Sequence, residues 1–165
     1  MKKIILLAFV LAPLTMLAQQ KFGRVNTGAI IQVMPEYTKA QTEMQTLQKQ
    51  YEDELKRMQD EGQKKAADYE KEAATLPDNI KARRENEITE IGEKIRQYYA
   101  ESQQNLQKAE EEKMQPIQKK LMDAINAVGK EGGYVFILTD GSLPFISETA
   151  VTDVTPAVKA KLGIK

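Results

Sequence analysis

One stripe constrains this chain more than any other feature. Between Tyr37 and Leu76 the apolar or small residues are Tyr37, Ala40, Met44, Leu47, Tyr51, Leu55, Met58, Gly62, Ala66, Tyr69, Ala73 and Leu76. Their eleven steps cover 39 residues, a mean of 3.55, which falls between the coiled-coil repeat and the straight α-helix. The stripe is one residue wide, and its flanks are almost wholly Gln, Glu, Lys, Asp and Thr. Such a helix buries a seam and leaves the rest of its circumference in water.

Leu76-Pro77-Asp78-Asn79 interrupts the pattern with turn chemistry. A second stripe then runs through Ile80, Ile88, Ile91, Ile95, Tyr98, Leu106, Ala109, Ile117, Leu121, Ala124 or Ile125, and Val128. Two long helices joined by a four-residue break are expected to fold back as an antiparallel hairpin. At 1.5 Å rise per residue each arm helix would be roughly 60 Å long. The seam thins to Leu106 and Ala109 between Ser102 and Lys113, so this stretch should be the softest of the arm. Pro116 should kink the second helix, and that kink is read as the junction between arm and head.

The remaining residues form short elements. Phe22–Asn26 alternates like a strand, Thr27–Met34 suits a short helix, and Pro35 sits where the long helix begins. Gly132-Gly133 should end the second helix, followed by a strand at Tyr134–Thr139. Asp140-Gly141 predicts a hairpin turn with Leu143–Ser147 as the return strand. Thr155-Pro156 reads as the cap and first turn of a last helix ending at Gly163. The organisation is therefore a signal peptide at 1–18, a head or oligomerisation domain at 19–35 and 116–165, and a helical hairpin arm at 36–115. A head of this size has a marginal core and open sheet edges, so an oligomer is expected.

Met1-Lys2-Lys3, the apolar run through Leu17 and the small residue Ala18 have the three parts of a secretory signal peptide, cleaved near Ala18. The apolar stretch, interrupted by Pro13, falls short of the ~20 residues that a spanning helix needs. Export and the absence of Cys leave packing and self-association as the sources of stability.

The chain also lacks His and Trp. Without Cys or His the usual thiol and imidazole nucleophiles, proton shuttles and zinc ligands are gone. Glu110-Glu111-Glu112 and Glu52-Asp53-Glu54 are the densest carboxylate clusters. Consecutive helix residues diverge around the axis, so neither triplet gathers on one ion. No catalytic constellation, metal site or cofactor motif is present, and the chain is read as a non-enzyme. With 24 basic and 24 acidic residues it has no cationic surplus for binding nucleic acid. Over residues 36–115 there are 14 basic and 19 acidic residues, a net −5, while the rest of the chain beyond Ala18 carries +3.

What remains is surface and shape. Lys81, Arg83 and Arg84 form a basic patch at the arm tip, beside Asp78 and Glu85. The patch suits helix-face pairing or contact with an acidic partner. Met58, Tyr69, Ile80 and Tyr98 lie at seam spacing, whereas Tyr99 and Met114 lie off the seam or at its margin. The candidate contact residues are thus Met58, Tyr69, Ile80, Arg83, Arg84, Tyr98, Tyr99 and Met114.

The order of parts resembles a known family. Phe22-Gly23-Arg24-Val25-Asn26-Thr27 leads to Met34-Pro35-Glu36-Tyr37 and a long charged hairpin. The chain closes with Pro116-Ile117-Gln118-Lys119-Lys120, Lys130-Glu131-Gly132-Gly133-Tyr134, Asp153-Val154-Thr155 and Lys161-Leu162-Gly163. These features are similar to the OmpH/Skp family of periplasmic chaperones of Gram-negative bacteria. The resemblance implies an α+β fold, a homotrimer in which a small β-barrel head is shared between subunits, and long antiparallel coiled-coil arms around a cavity. It implies an ATP-independent periplasmic holdase, without cofactor, for unfolded outer-membrane β-barrel proteins. The alternative is an exported trimeric scaffold with one specific partner. The family's arms are basic and these are acidic, which weighs against contact with anionic membranes. Its proposed lipopolysaccharide site is a basic cluster, and the comparable Lys108–Glu112 region here is acidic, so that site is not carried over.

Overall fold

A computed structural model describes residues 20–142, 144–147 and 149–164; the expected signal peptide lies outside them. The elements in order are β1 (Lys21–Val25), α1 (Thr27–Ile31), α2 (Pro35–Glu72), α3 (Asp78–Gly132), β2 (Tyr134–Thr139), β3 (Thr152–Asp153) and α4 (Thr155–Lys161). The chain divides into two compact units, one holding the described residues through Ile31 and from Lys120 on, the other Gln32–Lys119.

In the second unit, Pro35 stands in the first turn of α2, and Met34 at the N-cap is extended, with ψ 128°. Extended geometry is what a residue before proline prefers. α2 ends at Glu72, and α3 opens at Asp78 directly after Pro77. Five cross-contacts give the direction of the pair. Tyr51 and Tyr98 meet edge to face at 6.0 Å between ring centroids. A Cβ on Gly62 would lie 3.0 Å from Ile91. Lys65 pairs with Glu87 at 3.4 Å, the Tyr69 hydroxyl donates to Glu85, and Lys113 donates to Glu43. Each partner moves back along α3 as its mate moves forward along α2, so the helices are antiparallel. All twelve stripe residues from Tyr37 to Leu76 are buried or half-buried, Ala73 and Leu76 lying just past the end of α2. α3 continues through Pro116 to Gly132, where Gly133, with φ 65°, ends it in a left-handed conformation that a side chain would disfavour.

The first unit holds a three-stranded sheet of order β2-β1-β3, with both pairings parallel. Parallel neighbours need a long crossover. Here the β1–β2 crossover is the whole helical hairpin. β1 alternates, with Gly23 and Val25 buried and Phe22 and Arg24 half-buried. Phe22 stacks on Phe136 across the strands at 4.6 Å. At Gly23 an added Cβ would sit 2.9 Å from Ile137 and 3.4 Å from Val154, so the glycine allows close approach. Val25, Ile30, Val154 and Val158 are completely or almost completely shielded from solvent and form the centre of this core. On α3, Leu121, Ala124, Ile125 and Val128 are buried in the same unit, and both Ala124 and Ile125 serve the stripe.

Two expectations fail here. Gly141, with φ 85°, does form a turn in which Ser142 N donates to Thr139 O at 3.0 Å. However, residues 144–147 form no return strand, and Leu143 lies outside the described residues. Pro144 cannot donate to a ladder, and the third strand is Thr152–Asp153 on the far side of β1. Thr155 is also not the cap of the last helix. Val154 occupies that position without a side-chain cap bond, and the Thr155 hydroxyl instead accepts from Asn26 N at 2.9 Å, tying α4 to the end of β1.

Candidate functional site

The candidate contact residues all lie on the hairpin, in two settings. Met58, Tyr69, Ile80 and Tyr98 are half-buried in the seam. Each therefore shows one edge to solvent while packing on the other helix. Met114 is also half-buried, whereas Tyr99 is 55% exposed. Burial pushes the Tyr98 hydroxyl above its ordinary value, with the Glu54 charge adding to the effect. The hydrogen bond to Glu85 raises Tyr69 likewise. Both rings are neutral over the ordinary pH range and act as amphipathic surface.

Arg83 and Arg84 are exposed but not free. Both face Glu87, each at 3.7 Å, and Lys65 reaches the same carboxylate from α2. Glu87 thus collects three cations and ties the two helices near the tip. In the basic patch expected at Lys81, Arg83 and Arg84 every cation is thus engaged by a carboxylate, since Lys81 also pairs with Asp78 at 3.9 Å. Exposed pairs of this kind are individually worth ~0–1 kcal/mol. A shallow cleft of about 130 Å³ lies beside them, with Tyr69, Arg84 and Ile88 in its wall.

Ser102 was missed by the sequence reading. It is 5% exposed and is the one buried polar residue among those described, its hydroxyl donating to Tyr99 O at 2.8 Å. The available signal was spacing, because Ser102 stands four residues after Tyr98 and four before Leu106. From there to the Lys113–Glu43 bond, no hydrogen bond or ion pair among the described residues joins α2 to α3. Lys113 holds the Glu43 carboxyl below its ordinary range, with Lys39 contributing.

In the first unit, Met122, Val135, Phe136 and Phe145 are exposed apolar residues, Phe145 to 80%. β2 and β3 are the two edges of the sheet. Arg24 stands between Asp140 at 3.5 Å and Asp153 at 3.6 Å, joining the three strand ends. Hydrogen bonds from the Thr155 side chain and backbone, aided by Arg24, hold Asp153 below the ordinary carboxylate range. Among the described residues no His, Cys, Asp and Glu cluster could hold a metal ion, and no helix is long and apolar enough to cross a membrane.

A family model described as outer membrane protein (OmpH-like) matches residues 21–162. No curated protein matches the chain at a significant level. Among solved structures, the chain is similar to one from Caulobacter crescentus CB15 described as an OmpH-like outer membrane chaperone. The TM-score is 0.77 at 13% identity, covering 88% of this chain and 85% of that one. At that identity the likeness is one of fold.

Proposed function

Because the chain belongs to the OmpH-like family of outer membrane proteins, we propose that it is a periplasmic holdase chaperone. It binds unfolded outer-membrane β-barrel proteins without ATP and prevents their aggregation. The observation that carries this reading is the hairpin. The unit Gln32–Lys119 invests its length in two helices that bury only a narrow seam. Surface of that kind offers an unfolded client many weak contacts, so holding is reversible without fuel. The fold likeness to the Caulobacter chaperone supports the same reading.

Assembly is a homotrimer with a shared β-barrel head and coiled-coil arms around a cavity. Two features of the first unit support self-association. The sheet ends in open edges at β2 and β3, and Val135 and Phe136 on β2 are 58% and 44% exposed. Exposed edges with apolar side chains are stabilised by pairing with another chain. The client contacts proposed on the arm are Met58, Tyr69, Ile80, Arg83, Arg84, Tyr98, Tyr99 and Met114, of which Tyr99 is the most freely presented aromatic.

The test is dilution of a urea-unfolded outer-membrane β-barrel protein into buffer, followed by light scattering with and without this chain and without nucleotide. Suppression saturating near three chains per client supports the reading. Absence of suppression by an intact assembly refutes it and favours a scaffold with one dedicated partner.

A further inference from the structure

The net charge of the hairpin is not spread along it. Residues 36–55 and 97–115, which the Tyr51–Tyr98 and Glu43–Lys113 contacts place side by side, carry 4 basic and 9 acidic residues. Residues 56–96, the tip half, carry 10 of each. The whole excess of −5 therefore sits at one end of the hairpin, and the tip is neutral.

A groove of about 420 Å³ lies between α2 and α3 within this acidic half. Half-buried Met44 and Leu106 supply its apolar surface. Exposed glutamines surround them: Gln48 from α2 and Gln103, Gln104 and Gln107 from α3. Glu110 lines one end and has no ion pair among the described residues. At the other end, Gln48 Nε2 donates to Glu52 at 2.8 Å, and Glu52 also lacks a cationic partner there. No lysine or arginine lines the groove. Counting from the Glu43–Lys113 and Tyr51–Tyr98 contacts, the two carboxylates are separated by ~9 and ~20 Å of helix axis respectively, about 14 Å at the mean, at 1.5 Å per residue. An extended chain covers that distance in about four residues.

We propose that this groove is a docking site for extended segments of unfolded polypeptide that carry Lys or Arg on either side of an apolar residue. The inference rests on the holdase reading above and names the class of client segment. Each part of the segment has a counterpart. Met44 and Leu106 receive the apolar side chain, with Met adapting to differing shapes. Glutamine amides both donate and accept, so they satisfy the backbone groups of a chain that has no sheet to pair with. Glu52 and Glu110 attract the flanking cations. An anionic segment meets the same carboxylates as repulsion, which makes the groove selective by charge.

The experiment compares two fluorescein-labelled dodecapeptides of alternating leucine and serine, one with two lysines four residues apart, the other with two glutamates there. Binding to the full chain is followed by anisotropy at low salt. The lysine peptide should bind about fivefold tighter, the scale expected of two exposed ion pairs, and 0.5 M NaCl should remove most of that difference. Combining Glu52→Gln with Glu110→Gln, both on exposed helix faces where glutamine keeps helix propensity, should reduce the preference below twofold. Equal binding of both peptides overturns the inference but leaves the holdase reading standing. A preference that survives the double substitution overturns the assignment to this groove. Failure to bind either peptide while an unfolded β-barrel protein is still held also overturns the groove. Failure to hold that client as well overturns the proposed function itself.

Discussion

Ile30 offers a direct test of how the first unit is held together. It lies in α1, a helix of five residues that could not persist alone. Two bonds secure it from Asn26: Oδ1 accepts from Ala29 N at 2.8 Å, and the carbonyl accepts from Ile30 N at 3.2 Å. Among the described residues no other hydrogen bond joins α1 to a neighbouring element, so the rest of what holds it is packing, and Ile30 is 0% exposed. Ile30→Ala removes three carbons, worth about 2.4 kcal/mol at ~0.8 kcal/mol each. A residual cavity of about 50 Å³ would add ~1.2 kcal/mol at ~24 cal/mol per Å³. The sum, ~3.6 kcal/mol, corresponds to a loss of amide protection of roughly 400-fold. Hydrogen exchange read by mass spectrometry on a peptide spanning β1 and α1 measures it. Ile30→Val, costing about 1 kcal/mol, should lose only about fivefold. A loss below tenfold for Ile30→Ala, with the helical content unchanged, would refute the claim that α1 is held by core packing.

Three further outcomes are expected. Gly23→Ala should destabilise the sheet by about 1–3 kcal/mol, because its Cβ would stand 2.9 Å from Ile137; a thermal midpoint equal to that of the unaltered chain would contradict this. Acid should loosen the Lys113–Glu43 end of the hairpin. The folded-state value of Glu43 is depressed from its ordinary 4.5, so its contribution is complete above that pH and is lost as pH falls through the folded value. Helix exchange near Glu43 should quicken there, and Glu43→Gln should abolish the pH dependence. Deleting residues 60–95 should spare self-association, seen by sedimentation, while abolishing suppression of client aggregation. Retained suppression would move the activity to the head.

The two long helices were legible because helix burial is written locally. A seam at 3.5-residue spacing can only be buried by a partner of the same kind, and the break at Pro77 supplies the reversal. The same logic would have placed Ser102 in the seam, had its spacing outweighed its polarity. A hydroxyl that can bond its own helix at Tyr99 O is inexpensive to bury.

The candidate surface was less legible. Arg83 and Arg84 read as a basic patch along the chain, but Lys65 of the other helix joins them on Glu87. Glu52 and Glu110 read as parts of divergent acidic triplets. Only the pairing of α2 with α3 puts Glu110 at one end of a groove and Glu52, bonded to the lining Gln48, just beyond the other, because side chains separated by more than a turn meet only through another element.

By itself, the sequence determined the hairpin, its seam and the absence of His and Cys chemistry, since these follow from composition and from periodicity over a few turns. The tertiary structure alone decided which strand lies beside β1. Asp140-Gly141 announces a local return, and the turn forms. The third place in the sheet nonetheless goes to Thr152–Asp153 in parallel register. Pairing in a sheet is a contest between remote segments for the same donors and acceptors. The winner depends on what packs behind each strand, here Val154 and Val158 closing the core after β3, and local turn propensity cannot report that.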